Sequence, residues 1–127
     1  MANLNLDNLI NVLLEELPEF KAIYQAHRDY YGEDFLYVLF GAGLVSFTLH
    51  NYETYVESRE ASAESERILR KILNFIEYCI ASGDEDVIEL IRTGYMEGFD
   101  TKSDSYQPLQ SLMGPLSKNL LIRVKGK

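Results

Sequence analysis

The stretch Phe35–Leu49 carries no charged side chain and is apolar at nearly every position. A helix crossing a bilayer needs roughly 20 such residues, and Ser46 and Thr48 interrupt this one. The run therefore predicts a helix buried in protein, spanning about residues 34–56 and forming the central, most covered element of the fold. Glu33 and Asp34 precede it, placing negative charge where the helix dipole is positive. Its far end, His50–Ser58, turns polar and should emerge into solvent. Gly41 and Gly43 each cost about 1 kcal/mol relative to alanine inside a helix, so they predict another helix crossing close against this backbone.

Around this run the chain repeats one pattern, apolar residues three and four apart. Leu6, Leu9, Ile10, Leu13, Leu14 and Leu17 mark a first helix, with Asn5 or Asp7 as N-cap. Pro18 opens a second, where a missing N–H costs nothing. Its stripe is Phe20, Ile23, Tyr24, His27 and Tyr31, and Gly32 supplies the stop. Ser62 is the candidate cap of a fourth helix buried through Ile68, Leu69, Ile72, Leu73, Ile76, Cys79 and Ile80. In Ser82-Gly83-Asp84, Gly83 suits a left-handed helix end and Asp84 the cap of the next helix. That helix carries Val87, Ile88, Ile91, Tyr95 and Phe99, with Gly94 and Gly98 four apart as a second sign of close packing. After the polar loop Asp100–Ser105, Pro108 begins a last segment with Leu109, Leu112, Met113, Leu116 and Leu120 in phase. Gly114-Pro115 either kinks that segment or splits it. Residues 124–127 read as a frayed basic tail.

No segment alternates with period two. The expectation is a single all-α domain over residues 1–127, with five to six antiparallel helices in a bundle or a short helical-repeat-like stack. At 127 residues the chain is long enough to bury a core without staples. Met1–Asp7 lacks the cationic and apolar regions of a secretory leader, and one cysteine cannot make an internal disulfide, so the cytoplasm is the expected compartment.

The net charge of −8 is unevenly spread. Residues 1–60 hold ten acids and three bases, residues 61–98 eight and four, and residues 99–127 two and five. An acidic body disfavours nucleic acid, which needs a positive stripe. It suits a basic protein, whose approach the field would accelerate.

Signatures of catalysis are missing: no glycine-rich phosphate loop, no Gly-x-Ser-x-Gly elbow, no Cys-x-x-Cys or His-Glu-x-x-His pair. His27 lies on an apolar stripe and reads as a hydrogen-bonded core or rim residue. His50 reads as a surface residue, and Cys79 as a packed thiol. Glu33/Asp34 and Asp84/Glu85/Asp86 sit where helix dipoles already account for them. No catalytic residue, metal ligand or cofactor site is assigned, and the chain reads as a non-enzyme. The most interface-like residues are Tyr52, Glu53, Tyr55 and Glu57, with Tyr30, Tyr31 and Glu33 in a similar acidic setting. Tyrosine buries a large area at low entropy cost, and neighbouring acids pair with Lys or Arg.

Three stretches carry a resemblance. They are Leu14-Glu15-Glu16-Leu17-Pro18-Glu19-Phe20 followed by Tyr24, His27 and Tyr31-Gly32-Glu33; Ser82-Gly83-Asp84-Glu85-Asp86-Val87 with Ile88, Leu90, Ile91 and Tyr95-Met96-Glu97; and Leu112-Met113-Gly114-Pro115-Leu116-Ser117. The chain resembles a family of small all-helical bacterial proteins of unassigned activity, similar to immunity proteins found beside polymorphic toxins. The resemblance implies a protein-binding role, neutralising a basic, nuclease-like toxin by occlusion. Glu33, Glu53 and Glu57 would pair with its cleft while Tyr52 and Tyr55 fill pockets. A general helical scaffold or regulatory protein, as in phage defence, is the competing expectation.

Overall fold

The computed structural model describes residues 4–126, and these form an all-helical fold. Seven helical segments follow one another: α1 (Leu6–Glu16), α2 (18–31, opened by a 3-10 turn at Pro18–Phe20), α3 (36–57), α4 (Ser62–Ser82), α5 (85–98), α6 (Tyr106–Leu112) and α7 (Pro115–Lys125). The expected five to six become seven because the Gly114-Pro115 break makes two helices, not a kink. Met113 and Gly114 are both extended, as a residue before proline prefers, and Pro115 starts α7 afresh.

The sequence signals act largely as expected at helix ends. Asn5 and Asn8 form a reciprocal capping box on α1, at 3.0 and 2.9 Å. Gly32 ends α2 in the left-handed conformation, with φ 77°. Asp84 caps α5 by accepting from the Val87 amide at 3.0 Å. Two caps differ. Ser62 instead donates to the Tyr55 carbonyl, tying α4 back to α3, and Ala61 holds the cap position. Gly83 is extended, not left-handed. It is glycine because a Cβ there would lie 2.3 Å from the Cys79 carbonyl oxygen and 2.6 Å from a Val87 methyl carbon. That tight joint also bonds to the chain's start, with the Asp84 amide donating to the Leu4 carbonyl at 2.9 Å.

Helix α3 is not covered all round, and α4 contributes as many buried residues as it does. Leu69, Ile72, Leu73, Phe75, Ile76 and Cys79 are all buried, and the second half of α3 and α7 both pack on it. Each such side chain contributes roughly 1.5–3 kcal/mol through burial. Along α3 only Leu39, Phe40, Leu44, Val45, Thr48, Asn51 and Tyr52 are buried, whereas Phe35, Tyr37 and Val38 face solvent. A run with no charged position lacks the polar stripe that would identify its outer face.

The glycines explain the centre. The first half of α3 contains a π-helical turn, Leu39–Leu44, and it crosses a second one in α5, Ile91–Tyr95. A Cβ on Gly41 would lie 3.1 Å from the Gly94 carbonyl oxygen, and one on Gly98 would lie 2.5 Å from the Gly41 carbonyl oxygen. Gly43 takes no part, since nothing comes closer than 3.6 Å to its Cβ direction. Beside the crossing, buried Thr48 donates to the Leu44 carbonyl and shares a 2.8 Å hydrogen bond with the Tyr95 hydroxyl.

The C-terminal elements dock through specific contacts. The Glu77 carboxylate accepts from the Leu116 and Ser117 amides, each at 2.9 Å, and from the Ser117 hydroxyl at 2.7 Å, so α4 caps α7. Burial pushes the Glu77 carboxyl up, but these donors outweigh it and hold it below its ordinary value. Residues 124–126 are not frayed. Helix α7 runs to Lys125, whose ammonium donates to the Glu97 carbonyl at 3.0 Å, and Gly126 closes it; Lys127 lies outside the described residues. Of the expected apolar phase, Leu109 and Met113 are buried, whereas Leu112 and Leu116 are exposed.

Candidate functional site

The joint between α2 and α3 is fixed by short-range chemistry. After Gly32 reverses the chain, Asp34 folds back onto α2. Its Oδ1 accepts from the Tyr24 hydroxyl at 2.9 Å and from Arg28 at 3.3 Å. Burial and the neighbouring Asp34 raise the Tyr24 phenol above its ordinary value. His27 is buried, and its Nε2 accepts the Phe35 amide at 3.0 Å, which supplies the start of α3 with an acceptor no serine or aspartate provides. Glu33 and Asp34 thus precede the helix in the linker and do not lie in its first turn.

Aromatic rings are stacked on this joint. Tyr31 packs on His27 at 4.8 Å between centroids and edge-on to Phe35 at 5.2 Å, and Tyr30 meets Tyr31 edge-on at 4.8 Å. Among the described residues ten large hydrophobic side chains are exposed, and five of them, Tyr30, Tyr31, Phe35, Tyr37 and Val38, fall within residues 30–38. Tyr30 is 83% exposed and Tyr37 54%. Scattered surface hydrophobics are ordinary, but rings in mutual contact, as Tyr30, Tyr31 and Phe35 are, mark a contact surface, whereas Tyr37 leans toward Gly94 of α5. Val38, Ala42 and Ser46, four apart on α3, lead along one face to an open apolar trough of about 630 Å³ that Ile23, Phe47 and His50 also line.

Acids frame the corner. Glu33 is exposed and has no ion pair among the described residues, and exposed Asp29 receives only the Gln25 amide, at 2.9 Å. Arg28, the nearest base in sequence, is engaged by Asp34.

The residues singled out by sequence are distributed over three places. Tyr30, Tyr31 and Glu33 belong to the α2–α3 corner. At the other end of α3, roughly 30 Å away along the helix, Glu53 and Glu57 are exposed and line a groove of about 400 Å³ with Val56, Ser103, Asp104 and Ser105. Tyr52 lies at the base of that groove at 9% exposure, so it is part of the core and not a protruding anchor. Tyr55 is half-buried on a further face, lining a depression of about 100 Å³ with Glu66, Leu69, Arg70, Leu73, Asn74 and Leu112. Phe35, Tyr37 and Val38 were hidden by the expectation of an all-round buried helix. Their signal was their adjacency to a helix start, where the first turn has fewest neighbours to cover it.

The groups with chemical potential have structural partners. Cys79 is fully buried, and burial pushes its thiol well above the ordinary range. His27 is committed to the Phe35 amide, and no hydrogen bond joins it to a carboxylate. Among the described residues no three His, Cys, Asp or Glu side chains gather as metal ligands would, and no helix is long and apolar enough to cross a membrane.

Fold and surface together define an all-helical domain distinguished by a firmly held aromatic corner. A family model described as a domain of unknown function (DUF7674) matches residues 10–126, and the chain belongs to that family. No curated protein and no solved structure matches it.

Proposed function

We propose that the chain is a non-enzymatic protein-binding module that acts in the cytoplasm as an immunity protein, occluding a cognate toxin with a basic, nuclease-like surface. The observation that carries the binding role is the ring group Tyr30, Tyr31 and Phe35, exposed on a joint whose backbone is already fixed. Holding rings in place before binding removes much of the ordering cost that a flexible surface incurs. The surrounding negative charge supports a basic partner, because it raises association rates and repels acidic competitors. Glu33 at one end of α3 and Glu53 and Glu57 at the other support a footprint spanning the length of that helix. Relative to the sequence expectation, the aromatic anchors move from Tyr52 and Tyr55 to the corner.

Co-expression with the product of the adjacent gene tests this reading. Co-elution of the two proteins and restored growth of cells expressing that product are expected. A product that neither binds nor is neutralised would refute the immunity role.

A general helical scaffold or regulatory module, including one in phage defence, is the second reading. It is favoured by exposed Leu112 and the depression beside Tyr55, which give the molecule a separate surface on α3, α4 and α6. A scaffold would keep its partner after Glu53→Lys and Glu57→Lys, whereas the electrostatic reading expects a marked loss at low salt.

A further inference from the structure

We propose that the α2–α3 corner is a guanidinium-reading site, at which a protein partner seats an arginine against Tyr30 and Tyr31 with Glu33 as its counter-charge. This rests on the protein-binding reading and names the chemistry of its central contact. Three features of the corner define the occupant.

First, the outermost ring of the group, Tyr30, is left open to solvent. Tyr30 and Tyr31 meet at 77° and Tyr31 and Phe35 at 86°, so each pair uses a ring edge on one side, and Tyr30 remains 83% exposed. An aromatic face attracts a cation, and a planar guanidinium stacks on it better than an ammonium does. Second, the corner's own cation is spent. Arg28 is on the same helix turn as Tyr31, yet its guanidinium pairs with Asp34, which the Tyr24 hydroxyl also holds. Glu33, one residue away, has no cation, and Asp29 has only an amide. Third, the backbone between these groups is pinned by left-handed Gly32 and by the His27–Phe35 bond, so the backbone positions of Tyr30, Tyr31 and Glu33 keep their spacing without a partner.

Charge complementarity also decides among occupants. A second copy of the chain in a two-fold contact centred on the corner would bring Glu33 and Asp29 against their own counterparts with no added cation. An uncharged apolar helix would cover the rings but leave Glu33 beside a dry contact without a partner, which is costly. An arginine satisfies both the ring faces and the carboxylate.

The test uses the full chain, labelled with ¹⁵N, and three blocked five-residue peptides in which arginine, lysine or citrulline flanks a leucine on both sides. The arginine peptide should move amide resonances of residues 29–38 saturably. The lysine peptide should bind about fivefold more weakly, and the citrulline peptide should leave the corner unmoved. Tyr30→Ala and Glu33→Gln, both at exposed positions, should each weaken the arginine peptide by about fivefold with the remaining amide spectrum unchanged. Equal binding of the lysine peptide overturns the proposal. So do shifts centred on residues 53–57 and 103–105, or no saturable shift at the corner at millimolar peptide. If the peptides fail while the adjacent gene product still binds and is neutralised, only the guanidinium reading falls. If that complex is absent too, the binding function falls with it.

Discussion

Replacing Gly98 by alanine would put a Cβ 2.5 Å from the Gly41 carbonyl oxygen and 2.7 Å from a Val45 methyl carbon. Neither neighbour yields easily, since one is helix backbone and the other belongs to a buried β-branched side chain. To restore an ordinary contact α3 and α5 must separate by roughly 0.5–1 Å, and overpacking of this kind costs typically 1–3 kcal/mol. Alanine recovers part of this, about 0.5–1 kcal/mol, by restricting the unfolded chain, because Gly98 does not use a positive φ. The net expectation is a loss of about 1–2 kcal/mol, which for a domain of this size lowers the melting temperature by roughly 3–10 °C. Gly43→Ala is the matched comparison. Its Cβ would meet Ile23, Leu39 and Phe20 at 3.6–3.7 Å, an ordinary van der Waals contact. Helix propensity then dominates, and the variant should gain about 0.5–1 kcal/mol. Urea unfolding of both variants followed by circular dichroism measures the difference. If Gly43→Ala destabilises as much as Gly98→Ala, close approach is not why these glycines are present, and the crossing has been misread.

Three further outcomes follow from the same contacts. Glu19 accepts from Lys71 at 2.9 and 3.2 Å and from Arg67 at 2.8 Å, and these donors, Lys71 foremost, hold its carboxyl at about 2, below the ordinary 4.5. A depressed carboxyl stabilises the fold above its unfolded value and loses that contribution as pH falls from 4.5 toward 2. Allowing for the solvent that reaches the pair, Glu19→Gln should remove about 1–2 kcal/mol at pH 7 and flatten the stability profile in that acid window. Glu77→Ala leaves the α7 amides of Leu116 and Ser117 without their acceptor and should cost about 1–2 kcal/mol. Hydrogen exchange should then accelerate in α7 before it does in α4. Cys79, fully covered by core side chains, should resist a thiol-specific reagent in the native state and react at the rate of global unfolding once urea is added. Rapid native labelling would contradict that burial.

The local punctuation of the chain was legible in its residues. Asn5, Gly32 and Asp84 act within a few residues of themselves, so a cap or a left-handed turn needs no distant partner to be recognised. The all-helical class and the burial of α4 were legible for a related reason, because charged residues there outline the apolar stripe on the other side. The same rule failed on Phe35–Leu49. Without charges to mark an outer face, nothing in the run separates Leu39 and Phe40, which face the core, from Tyr37 and Val38, which face water. That choice belongs to the tertiary structure, where two π-helical turns cross through Gly41, Gly94 and Gly98 and fix the rotation of α3. Tyr52 and Tyr30 illustrate the limit. Both are tyrosines beside acids, yet one is covered by the core and the other stands in solvent. Residues determine which turns a chain makes; only packing determines which side of each helix remains to meet a partner.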